Sequence, residues 1–327
     1  MNTKAQTAYN NDNRGRTATH PGQIPARGWQ DIAYRIKDGL VNDNVSIIAA
    51  GVAFYALFAI FPALAALLST YGLFANPADV QQQLNALSGI LPAEARTLLN
   101  QQLGDIASRS GAALGLGVII GLLIALWSAS RGIMNLITAL NIVYSEKEKR
   151  GFLALNGLAL LLTAGAIVFA VLALGLIVVL PALLGNLGLP EQIRNWVVWL
   201  RWPLLVLFVM IGLAAIYRYG PSRSKPHWQW VSWGAVVATL LWIAGSALFS
   251  FYVSQFGNYN ETYGSVGAVV ILMMWFYLSA YAVLLGAELN AETEHQTCED
   301  STEGGPQPLG ERGAYVADTV GKTVDGG

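Results

Sequence analysis

Long apolar runs separated by short polar clusters organise this chain. Charge-free stretches occupy positions 45–78, 110–130, 151–190, 202–217, 228–260 and 262–287. A helix needs roughly 20 residues to cross about 30 Å of hydrocarbon, and all but one of these runs reach that length. The exception, 202–217, becomes long enough if it begins near Trp196, with Arg201 reaching for the headgroups among Trp196, Trp199 and Trp202. The pattern predicts an all-α membrane bundle of six transmembrane helices at about 47–72, 112–140, 152–181, 196–217, 230–253 and 264–288.

Composition agrees with the pattern. Hydrophobic residues make up 54% of the 327 and charged residues only 12%, with mean hydropathy +0.46. An ordinary soluble domain carries about 25% charge. A chain so poor in charge has too little to cover a water-facing surface, and lipid is its expected first partner.

Basic residues set the expected orientation, because Lys and Arg are retained on the cytoplasmic side. Lys4, Arg14, Arg16, Arg27, Arg35 and Lys37 precede the first span; Lys147, Lys149 and Arg150 follow the second; Arg218, Arg223 and Lys225 follow the fourth. The alternate loops are poor in them. Both termini are therefore expected inside (N-in/C-in), at a bacterial inner, or plasma, membrane. Residues 1–46 read as a polar cytoplasmic segment and 47–290 as the membrane domain. Residues 291–327 read as a disordered acidic and Gly-rich tail, too poor in apolar groups to fold alone.

The loop 77–109 has a pattern of its own. Val80, Leu84, Leu87 and Leu91, then Leu98, Leu99, Leu103 and Ile106, recur at helical spacing. Two amphipathic helices are predicted on the outer face, either capping the bundle or binding an envelope protein. A second outer loop, 255–263, presents Asn258, Tyr259, Asn260, Glu261 and Tyr263.

Polar residues within spans are costly and carry the candidate site. Ser128, Arg131, Asn135 and Thr138 recur at steps of three, four and three, placing a cation and three hydrogen-bonding groups on one helix face that should point inward. Tyr277, Tyr281 and Glu288 share a face of the last span. Two readings stay open: Arg131 and Glu288 pair to line a cavity, or they are separate interfacial charges. Pro62 is expected to kink the first span, as a static bend or as a gate. Glycine pairs 111/115 and 117/121, and Gly245 beside Ser246, are candidates for close helix contact.

Catalytic signatures are missing from the linear sequence. His20, His227 and His295 do not share a metal-binding spacing, and neither a phosphate-cradling G-x-x-x-x-G-K-[ST] nor a G-x-S-x-G elbow occurs. No catalytic residue, cofactor or metal is expected, and with a formal net charge of −1 no nucleic-acid partner.

Several blocks carry a family resemblance: 49–73 (AAGVAFYALFAIFPALAALLSTYGL), 139–144 (ALNIVY), 217–221 (YRYGP), 245–267 (GSALFSFYVSQFGNYNETYGSVG) and 286–292 (GAELNAE). In order and placement they resemble the YihY/BrkB family of bacterial inner-membrane proteins, over about residues 30–295. The resemblance implies six spans, a virulence-factor label, and an old family label, ribonuclease BN, which these residues disfavour. Transport or translocation of a lipid-like or polar envelope substrate is the favoured reading. A non-transporting scaffold for envelope assembly is the alternative. The sequence leaves the oligomeric state open.

Overall fold

The computed structural model describes residues 13–72, 113–180, 190–255 and 259–324. Its helices are α1 (Ala26–Asn42), α2 (Val45–Gly72), α3 (Ala113–Val143), α4 (Phe152–Leu174), α5 (Glu191–Tyr219), α6 (Trp228–Gln255), α7 (Tyr259–Glu294) and the short α8 (Tyr315–Asp318). Among the described residues there is no strand, only an isolated bridge between Pro226 and Thr302. Among the described residues, five helices are long and apolar enough to span a membrane, and a sixth span counts if α1 and α2 are taken as one bent pair. The expected loop 77–109 and Asn258 lie outside the described residues, as does Gly111.

Apolar sequence makes these helices because hydrocarbon offers no partner for a backbone N–H or C=O, so each must be satisfied within its own segment. Local signals end them. The chain leaves α1 through Asn44 and α3 through Ser145, both in the left-handed region at φ 52°, where the carbonyls of Leu140, Asn141 and Ile142 are closed by the N–H groups of Tyr144, Glu146 and Ser145. α4 passes into a π turn, Gly175–Val179.

α7 is the axis of the bundle. It packs along α6 and α2 and also touches α1, α3 and α8, while consecutive helices pack α2 on α3, α3 on α4, α4 on α5 and α5 on α6. The core is built largely of small residues: Ala49 from α2, Ala139 from α3, Ala235 and Ala238 from α6, Ala280, Ala287 and Ala291 from α7. The outer surface is apolar instead, with Ile47, Leu153, Trp196 and Leu248 each at least 70% exposed. Only a lipid solvent makes such a surface stable.

Glycine decides how closely α6 and α7 approach. A Cβ on Gly234 would lie 2.0 Å from the Gly286 carbonyl oxygen, and one on Gly286 would lie 2.6 Å from Ala238 Cβ, the Gly234 oxygen and the Tyr217 hydroxyl alike. Gly245 also belongs to this contact, facing Leu278, with Trp275 Nε1 donating to Ser246 Oγ at 3.2 Å. Gly121 in contrast meets open space, so the 117/121 spacing does not mark a contact at that position. On α3 the close approach is at Gly132, against Ala59 of α2.

α2 runs as a helix through Pro62, and a bend of 62° falls between α1 and α2 at Asp43 and Asn44. Two expectations are corrected here. The outer loop expected over 255–263 is shorter, because α7 already begins at Tyr259 and takes Asn260, Glu261 and Tyr263 into its first turns. Finally, the tail is ordered from 295 to 324. Arg312 binds it together, donating to the carbonyls of Gln307, Glu299, Ala317 and Cys298 at 2.8–3.1 Å. Asp318 accepts from the N–H groups of Gly310, Arg312, Gly313 and Ala314. The tail lacks apolar area, but it does not fold alone: it borrows partners from the rest of the chain.

Candidate functional site

Those partners form a polar layer at one end of the bundle. The N–H of Cys298 and the hydroxyl of Thr297 reach the Arg16 and Ala18 carbonyls; Arg16 donates to the Gln296 and Gly321 carbonyls. Tail and 220–227 loop are joined by Ser224 to Gly313, His227 to Ser301 and Glu303 to Lys225. The Tyr315 N–H reaches Glu146 in the 144–151 loop. Both described terminal segments and two of the basic loops therefore lie on one face, called here the terminal face.

Ion pairs run through this layer. Arg14 pairs with Asp31 at 2.7 Å, and Arg35 with Glu292, Arg218 with Glu303 and Arg223 with Glu294 in close contact. Hydrogen bonds from Arg150 hold the Glu148 carboxyl down at about 2, well below the usual carboxylate range. Contact with Arg218 likewise lowers Glu303.

Within the membrane region the predicted stripe on α3 divides. Arg131 donates to Asn156 Oδ1 of α4 at 2.7 Å and stacks over Trp127 at 4.3 Å from the ring centroid; its Nε is buried without a partner. Asn135 and Thr138 instead donate to the carbonyls one turn back, of Arg131 and Met134. Thr138 is exposed and Ser128 half-buried, while Ser130, not singled out from the sequence, is fully buried. The stripe does not face inward as a unit, because hydrogen bonds within the helix satisfy its polar groups without a facing partner.

Glu288 does not pair with Arg131. It is 2% exposed, with Oε1 lacking a hydrogen-bond partner, and it sits at the α1–α2 bend beside Asp43. Gly39 makes room for it: a Cβ there would stand 3.2 Å from Glu288 Oε2. Tyr277 and Tyr281 lie along the same side of α7, their rings 6.1 Å apart, and Tyr277 shares a hydrogen bond with Ser46 of α2 at 2.8 Å. The structure thus groups Tyr277, Tyr281 and Glu288 against α1 and α2, and Arg131 with α4.

A cavity of about 360 Å³ lies between α2, α3, α4 and α7. Val52, Ala56, Gly132, Ile133, Ala166 and Phe276 are among its walls, and Thr163, the one hydroxyl among the described lining residues, donates to the Ala159 carbonyl. The space is thus apolar. Asn156, Asp43 and Asn290 were missed by sequence reasoning, since a lone Asn or Asp near a span end has no periodicity to betray it. Asn290 bridges to α6, accepting from Gly234 N–H at 2.7 Å and donating to the Val231 carbonyl at 3.2 Å. Among the described residues no three His, Cys, Asp or Glu side chains are grouped to hold a metal ion.

Known proteins resemble this chain over most of its length. The family model described as virulence factor BrkB matches residues 36–309. A ribonuclease-like protein, YfkH, of Bacillus subtilis is 34% identical, covering 74% of this chain and 88% of its own. A UPF0761 membrane protein of Vibrio parahaemolyticus is 31% identical over 78% of this chain and 81% of its own; one of Vibrio cholerae is 29% identical over 83% and 91%. No solved structure matches it significantly.

Proposed function

We propose that this chain, which belongs to the virulence factor BrkB family of multi-pass membrane proteins, moves a lipid-like envelope substrate across the bacterial inner membrane. The observation carrying this reading is the apolar cavity between α2, α3, α4 and α7. An acyl chain loses nothing on entering such a space, whereas a hydrated solute would leave its water without replacement hydrogen bonds. Arg131 and Asn156, hydrogen-bonded across the α3–α4 contact, are polar groups on those two cavity-forming helices to which a headgroup could turn. The terminal face lies in the cytoplasm, on the strength of its Lys and Arg content.

The chain is not a nuclease in this reading. The arginines of the terminal face that an RNA backbone would need are engaged by carboxylates and carbonyls, and transfer RNA incubated with the pure protein should stay intact.

Reconstitution tests the proposal. The full chain in vesicles doped with fluorescent phospholipid should equilibrate the two leaflets, read by dithionite quenching, and Ala166→Phe, which fills the cavity, should return exchange to the protein-free rate. Exchange unaffected by Ala166→Phe, or none above the protein-free rate with phosphatidylethanolamine and phosphatidylglycerol probes, would favour the scaffold reading. Orientation is tested separately, with Cys298→Ser and Lys147→Cys: a membrane-impermeant maleimide should label exposed position 147 only in inverted vesicles.

A further inference from the structure

A second cavity, of about 610 Å³, opens at the terminal face where the 144–151 and 220–227 loops meet. Its walls include five cations, Lys149, Arg150, Arg218, Arg223 and Lys225, and, among the described residues, no carboxylate. The acids that balance some of them stand behind the walls: Glu146 on Lys149, Glu148 on Arg150, Glu303 on Arg218 and Glu294 on Arg223. Lys225 is held over the Tyr219 ring, its Nζ 5.2 Å from the centroid. Arg218, 4% exposed, keeps its Nε without a hydrogen-bond partner.

Two further features point to an anion. α4 starts beside Arg150 at Gly151 with no side-chain cap on its N-terminus, leaving positive partial charge there. The cavity also borders lipid: Leu158 of α4 is part of its lining, and Phe152 and Leu153, at the start of the same helix, are 70% and 84% exposed.

We propose that this cavity binds the phosphate of an anionic phospholipid of the adjoining leaflet, with Lys149 and Lys225 contacting the phosphate and the acyl chains descending along α4. A free phosphate shares the headgroup chemistry, but only a lipid explains why the cavity opens beside an apolar helix start. The site is distinct from the cavity assigned to the translocated substrate, and its occupancy does not depend on translocation.

Native mass spectrometry of the delipidated full chain tests this, with dioleoylphosphatidylglycerol and dioleoylphosphatidylcholine as probes. Phosphatidylglycerol should bind more tightly, and Lys149→Gln with Lys225→Gln should weaken it about tenfold without changing phosphatidylcholine binding. Both lysines are exposed, so the variant should keep the parent's helical circular dichroism; a variant that loses it is replaced by each single substitution, expected to give a smaller loss in the same direction. Equal affinity for the two lipids, or phosphatidylglycerol binding indifferent to the substitutions, would overturn the site. Inorganic phosphate at millimolar concentration that displaces the lipid fully would reassign the cavity to a soluble phosphate. Failure of leaflet exchange with lipid binding intact would leave this site standing and remove only the transport reading.

Discussion

Arg223 and Glu294 form a sealed ion pair, with side chains 0% and 1% exposed. Arg223 comes from the loop after α5 and Glu294 is the last residue of α7, so the contact locks that loop to the central helix. Ser301 completes it from the tail, donating to Glu294 at 2.5 Å. Removing one charge strands the other: Arg223→Ala is expected to lower stability by about 3–5 kcal/mol. Replacing both, Arg223→Met with Glu294→Leu, should restore much of that, and thermal unfolding in detergent compares the two.

Among the described residues, Asn156 supplies the one side-chain hydrogen bond of the Arg131 guanidinium. Asn156→Leu is expected to cost about 1–3 kcal/mol, and adding Arg131→Met should recover most of the loss. A double-mutant cycle on detergent unfolding measures the coupling; additive losses would mean the two side chains do not act together.

At the α6–α7 crossing, Gly234→Ala drives a methyl group into the Gly286 carbonyl. The helices must separate, at about 3 kcal/mol or more. Gly121→Ala, in open space, should be close to neutral. Comparing their melting temperatures tests whether packing or mere glycine content matters.

Arg312 holds four tail carbonyls. Arg312→Ala should free the tail without unfolding the bundle, giving rapid proteolytic cleavage after residue 295 while the membrane core stays intact. Cleavage no faster than in the parent protein would show that the tail's contacts to Arg16, Glu146 and the 220–227 loop order the segment without Arg312.

Acid should loosen the 144–151 loop before the bundle. The Glu148 carboxyl has its folded value depressed from 4.5 to about 2, so its stabilising contribution is complete above about 4.5 and is lost as pH falls from there through about 2. Amide protection factors in the loop, taken against the intrinsic exchange rate at each pH, should fall over that window, and Glu148→Gln should remove that fall.

The membrane character was legible because it rests on long-range composition. A run such as 152–174 has no water-compatible alternative to a helix in lipid, whatever its neighbours. Helix ends were harder: α5 starts at Glu191 rather than near Trp196, since the charged first turn carries no apolar signal. Arg201, expected to reach for the headgroups, stacks over Trp202 at 5.1 Å from the ring centroid and donates to the Ile177 carbonyl, a bond that required the π turn of α4, which leaves no sequence mark.

By itself, then, the sequence determined an all-helical membrane protein, because hydrocarbon acts on each apolar segment separately and periodicity records the result. Tertiary structure alone decided that Arg131 meets Asn156, that Glu288 stands beside Asp43, and that a Gly-rich tail becomes ordered. These depend on which polar groups arrive within about 3 Å of one another, a condition set by segments that meet only in the folded chain and invisible in either segment read alone.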